Sequence, residues 1–81
     1  MSGKLEFDTV IIGGGVAGLA AGIYAARLGL KTVIFAEKIG GNILLAAEIT
    51  NYPGFRKISG LGLINKLKEH LEDYNVEIIE E

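Results

Sequence analysis

The chain carries no charge between Thr9 and Ala26, and the spacing of its apolar positions changes partway along that stretch. Thr9 to Ile12 is a continuous β-branched run, the pattern of a strand buried on both faces. Three glycines, Gly13 to Gly15, end it. From Val16 the apolar positions take helical spacing through Leu19, Ala20 and Ile23, with the stem of Arg27 turned inward. Gly29 follows the last turn, where a helix end favours a residue that tolerates a left-handed backbone. Lys31 to Phe35 then predicts a second strand, reached by a link as short as helix-to-strand links usually are.

Beyond that strand the pattern loosens. Gly40-Gly41-Asn42 opens a short apolar run, Ile43 to Ala47, that predicts one or two helical turns. Pro53-Gly54 marks a turn, and Arg56 and Lys57 read as exposed. Glu37 to Lys57 is therefore a long, mostly irregular segment, of the kind that is usually functional when it occurs in a compact domain. Its asparagines and glycines suit contact with a planar, polar ligand better than core packing. Ser59 can cap a helix running to about Tyr74, whose Ile64, Leu67, Leu71 and Tyr74 form one apolar face. Gly60 and Gly62 weaken its first turn, and Asn75 suits the position after its end. Val76 to Ile79 predicts a third strand.

A strand, a helix and a second strand make a right-handed βαβ unit with parallel strands. The chain is expected to be α/β: half of a Rossmann-like doubly wound parallel sheet, running strand, helix, strand, loop, helix, strand, with strand order 3-2-1. Residues 1–81 form one partial domain. In this order the first strand lies at an open edge, and exposed edges are usually covered. Either further chain covers it or a second copy pairs with it to make a homodimer.

Within the first unit, Gly13-x-Gly15-x-x-Gly18 matches a dinucleotide-binding fingerprint, and it sits between a strand and a helix as that motif requires. Gly13 allows the tight turn, Gly15 lets a pyrophosphate approach the backbone, and Gly18 lets the helix pack closely on the strand. The N–H groups of the first helical turn, at the positive end of the helix dipole, would then hold the phosphates. The fold places an acid at the end of the second strand, about 20 residues past the glycines, to bind the ribose hydroxyls. Glu37 occupies that place. The same glycines admit another reading: an uncharged run long enough to cross a membrane, with Gly14, Gly18 and Gly22 as a helix-pairing stripe. Three successive glycines oppose it, because a span needs continuous helix.

Composition narrows the rest. At 81 residues, 49% hydrophobic and 22% charged, the chain is an ordinary globular one, small enough for marginal stability. A net charge of −2 without a basic cluster argues against nucleic acid. The absence of cysteine excludes a disulfide scaffold, a thiolate metal site and a redox cysteine pair in this sequence. It fits a cytoplasmic protein. Met1 to Lys4 reads as a short frayed start, and the charges at Lys4, Glu6 and Asp8 are unlike a signal peptide. His70, the only histidine, has no partner cluster and reads as a surface residue. Tyr24 and Tyr74 are expected on packed helix faces, and Tyr52 is a loop aromatic. No Ser/His/Asp set, carboxylate pair or metal-ligand spacing is present.

Three blocks taken together, DTVIIGGGVAGLAAGIYAARLGLKTVIF, GGNILLAAEITNYPGF, and ISG before an amphipathic helix and VEII, resemble the N-terminal FAD-binding segment of the low-molecular-weight thioredoxin reductases. The GGN…TNYPGF block is similar to the GGQL…ENYPG block of that family and its relatives, the alkyl hydroperoxide reductase flavoproteins and the thioredoxin-reductase-like ferredoxin reductases. The resemblance implies that Gly13, Gly15, Val16, Ala17 and Gly18 contact the FAD pyrophosphate. Glu37 would approach the ribose, and Gly41, Asn42 and Asn51 would lie toward the flavin. Asn42 stands where the family has glutamine, Thr50 where it has glutamate, and the loop before Gly40 is one residue shorter. In the family NADPH reduces FAD, which reduces a cysteine pair. The NADPH domain and that cysteine pair have no counterpart here, so the chain is expected to be a truncated FAD-binding fragment that does not turn over alone. The fingerprint itself reads only ADP. A non-catalytic module that self-associates, or that binds another ADP-containing dinucleotide such as NAD, is the alternative. NADP is disfavoured, because Glu37 would repel a 2′-phosphate.

Overall fold

The computed structural model describes residues 6–81; Met1 to Lys4, read as a frayed start, lie outside them. Strand β1 (Thr9–Ile12), helix α1 (Val16–Arg27), strand β2 (Thr32–Ala36), a short 3-10 helix (Gly41–Leu45), helix α2 (Gly60–Leu71) and strand β3 (Glu77–Glu80) follow in chain order. The sheet is parallel with order β1-β2-β3. Thr9 stands opposite Thr32 and Ile12 opposite Phe35, while Val33 pairs with Glu77 and Ala36 with Glu80. This is the expected α/β half-sheet, Rossmann-like in form, with β1 at its edge.

Both helices pack on one side of the sheet, and the core forms between them. Leu19 and Ile23 of α1 meet Ile34 of β2 and Leu63, Ile64, Leu67 and Leu71 of α2, all buried. Gly22 sits in this contact: a Cβ there would come within 2.8 Å of Ile34 Cδ1 and 3.4 Å of Leu71 Cδ2. The small-residue stripe of α1 thus serves packing inside the domain. Among the described residues no helix is long and apolar enough to cross a membrane.

Several expectations change. β1 is not buried on both faces: Ile11 packs on the core, but Val10 is 55% and Ile12 80% exposed. The helices lie on one face alone, so the alternate residues of β1, with Phe35 of β2, face away from any layer. Tyr24 is 69% exposed, so it does not lie on a packed face. Arg27 is exposed as well, because Ile23 and Ala25 fill the inner side of that turn. The segment after β2 is more packed than its polarity suggests. Ile43, Leu44, Ile49, Tyr52 and Ile58 rest on the core, and Ile49 and Ile58 form an antiparallel bridge. Its helical turn is of the 3-10 type and ends at Leu45. α2 closes at Leu71 rather than near Tyr74, and β2 and β3 each begin and end one residue later than expected.

Candidate dinucleotide-binding site

The site forms where β1 hands over to α1. β1 ends at Ile12, and Gly13 turns the chain with φ +117°, a conformation that side chains rarely adopt. The Gly13 N–H donates to the Phe35 carbonyl at 2.7 Å, extending the ladder by one bond. Gly14 lies against β2 and the loop beyond it: a Cβ there would meet Ala36 Cβ at 2.5 Å and Ile39 Cα at 3.3 Å. The Gly14 carbonyl accepts from Gly40 N–H at 2.7 Å, which ties the turn after β1 to the loop after β2. Ile39 N–H in turn donates to the Glu80 carboxylate at 2.8 Å, so β3 also holds that loop.

Gly15 is the N-cap of α1, and its carbonyl accepts the first helical bond from Leu19 N–H at 2.9 Å. A Cβ added to Gly15 would meet nothing within 4 Å. The space beside the backbone is open, as a close-approaching phosphate needs. Gly18 is the reverse case, because its Cβ would fall on the Gly13 carbonyl oxygen. Here the helix rides directly on the turn, which is the packing role expected of that glycine.

The two helix starts differ. At α2 the Ser59 hydroxyl accepts from Gly62 N–H at 2.9 Å, an ordinary N-cap. At α1 no side chain caps the helix, and no acidic residue lies in its first turn. The N–H groups of Val16, Ala17 and Gly18 therefore point out of the helix start without an acceptor from the helix. Backbone donors and the positive dipole end remain available to an anion.

This start faces a cleft of about 440 Å³ lined by Gly13, Gly14, Gly15, Glu37, Lys38, Gly41, Asn42 and Leu45. The structure thus brings together Gly13, Gly15, Glu37, Gly41 and Asn42 from separate stretches of chain. Val16, Ala17 and Gly18 stand directly behind, in the first turn of α1. Asn51 is not part of the cleft. It is exposed on the loop after Ile49. Lys38 was not singled out from sequence. It is a cation next to the expected ribose acid, and neither side chain has an ion-pair or hydrogen-bond partner among the described residues. The residues fit a diphosphate in shape and in charge.

The family model for pyridine nucleotide-disulphide oxidoreductases matches residues 7–80. The chain belongs to that family. Its relatives include an alkyl hydroperoxide reductase component of Escherichia coli (strain K12), 42% identical over 74 residues, which are 91% of this chain and 14% of the relative. A thioredoxin reductase of Peptoclostridium acidaminophilum is 41% identical over 73 residues, covering 88% of this chain and 23% of the relative. Among solved structures, thioredoxin reductase of Lactococcus lactis superposes with a TM-score of 0.85 at 42% identity, covering 93% of this chain and 25% of that one. The chain thus spans about a quarter or less of these relatives. Within the family it corresponds to the N-terminal FAD-binding segment of the thioredoxin reductases, which are FAD- and NADPH-binding flavoproteins.

Proposed function

We propose that this chain holds the ADP half of FAD for a thioredoxin-reductase-like flavoprotein oxidoreductase. The observation that carries the reading is the start of α1: uncapped, free of acid, and opening on a glycine-lined cleft, while α2 in the same layer caps itself. The N–H groups of Val16, Ala17 and Gly18 bind the pyrophosphate, and Gly13 and Gly15 let it reach them. Glu37 accepts from the ribose hydroxyls, and Lys38 adds positive charge beside the phosphates. Gly41 and Asn42 form the opposite wall, toward the flavin, with Asn51 further out. When bound, FAD supplies the electron-carrying ring, and in the parent enzyme electrons would run from NADPH through it to a disulfide. The part of these residues is to position the cofactor.

One observation favours a narrower reading, in which the chain recognises only ADP. Asn51, the outermost residue expected to reach the flavin, lies outside the cleft. Titration of the purified chain with FAD, ADP, NAD and NADP separates the two. Saturable FAD binding displaced by ADP supports the cradle in both cases. FAD binding tighter than ADP supports the flavoprotein reading, and equal affinities support the ADP module. A folded chain that binds none of them contradicts both.

A further inference from the structure

Alternation along β3 puts a carboxylate where the pattern asks for an apolar side chain. Successive strand residues point to opposite faces of a sheet. Val76 and Ile78 pack on the core, on the helix side. Ile79 turns the other way and lines the bare face with Ile12 and Phe35. Glu80, two residues past Ile78, returns to the helix side, opposite the buried Ala36 of β2. What it meets there is backbone: its carboxylate accepts from Ile39 N–H at 2.8 Å, across 41 positions of sequence. Given the ADP-holding role proposed above, on which this assignment rests, we infer that Glu80 is a positioning residue for the ribose wall of the cleft.

Glu37 and Lys38 need such a hold. Both are exposed and line the cleft, and neither side chain has a partner among the described residues. Their placement therefore follows from the backbone on either side. Upstream, Ala36 is fixed in the sheet, its carbonyl accepting from Glu81 N–H at 3.0 Å. Downstream, Gly40 N–H donates to the Gly14 carbonyl at 2.7 Å, and Gly41 N–H closes a turn on the Lys38 carbonyl at 3.2 Å. The Glu80 bond falls between these ends, one residue after Lys38. A carboxylate acceptor makes it stronger than a bond between neutral groups. β3 thus sets the path of the residues that meet the ribose, although it lines no part of the cleft itself.

The sign of the effect separates positioning from charge. Glu80 is an anion close to a site for anions, so by Coulomb's law alone its removal would tighten phosphate binding. Positioning predicts the reverse. Without the bond the loop takes several paths, and affinity falls by the fraction of the competent one. The loss of one net hydrogen bond puts that fall at about fivefold. It is confined to ligands that reach the loop. ADP carries the ribose that meets Glu37. Inorganic pyrophosphate needs only the N–H groups at the start of α1 and the Lys38 ammonium, whose long flexible stem reaches it from several loop paths.

The test is calorimetric titration of the chain and its variants with ADP and with inorganic pyrophosphate, with circular dichroism to confirm folding. Glu80→Ala should bind ADP about fivefold more weakly than the wild type, and pyrophosphate no more weakly. Glu80→Thr, a better strand former too short to reach the Ile39 amide, should behave as alanine does. Glu80→Gln keeps an acceptor oxygen without the charge and should recover most of the ADP affinity. With Glu37 already replaced by alanine, Glu80→Ala should cost little more, because the group it positions is gone. Folded alanine and threonine variants that bind ADP as tightly as the wild type overturn the assignment. So does an equal loss for ADP and pyrophosphate, or a glutamine variant as weak as the alanine one. A wild type that binds neither ligand defeats the ADP-holding role itself, and the assignment with it.

Discussion

Replacing Gly18 with alanine should destabilise the fold, although the same change in an ordinary helix stabilises it. Alanine in a helix interior gains about 1 kcal/mol over glycine. At Gly18, however, the added methyl falls on the carbonyl oxygen of Gly13. That carbonyl is backbone, and its residue is pinned by the 2.7 Å bond from Gly13 N–H to Phe35. Overpacking costs ~1–3 kcal/mol, and a neighbour that cannot rotate away puts this case at the upper end. The net loss is about 2 kcal/mol, or ~8–16 °C in melting temperature for a domain of this size. Gly22→Ala is the internal control. Its methyl would meet the ends of the Ile34 and Leu71 side chains, which can shift, so gain and cost nearly cancel. Thermal melts followed by circular dichroism compare the two. A Gly18→Ala protein melting at or above the wild type would refute the packing argument.

Other outcomes follow from the same contacts. Ser59→Ala removes the α2 cap and should cost about 1 kcal/mol, measured by urea unfolding. Ser59→Asp should retain most of that stability. Glu80→Ala removes the acceptor of Ile39 N–H. Amide exchange at Ile39 should speed up while that of the buried β2 amides stays slow. Gly15→Val places bulk in the open space at the α1 start and should abolish ADP binding while leaving the fold intact. Unchanged affinity in a folded Gly15→Val protein would remove the pyrophosphate from that position.

How much of this was legible in the sequence depends on the residue. Gly13, Gly15 and Gly18 stand where the fingerprint puts them, because turn, open approach and close packing are local properties of one strand and one helix. The order of strands followed from the dinucleotide-binding fold that the fingerprint implies, and the parallel pairing of the first two from the handedness of a βαβ unit. Glu37 reached the cleft because it directly follows β2. What escaped was set by distant packing. Gly60 reads as a helix-weakening glycine, yet its reason is the Ile43 carbonyl, which a Cβ there would overlap. The outward turn of Val10 and Ile12 depends on which face the helices choose, and the β-branched run does not encode that. Tyr24 looks like a core aromatic by type, but its helical phase sets it on the outer line of α1. Lys38 was hidden as one charge among many until the loop after β2 folded back against Gly14.

The account rests on the backbone N–H groups at the start of α1, and amide chemical shifts of the isotope-labelled chain during an ADP titration test it most directly. The amides of Gly13 to Gly18 should move most and saturate together, with smaller shifts at Glu37, Lys38, Gly41 and Asn42, while the start of α2 stays unmoved. Saturable shifts centred elsewhere, or none in a folded chain, would contradict it.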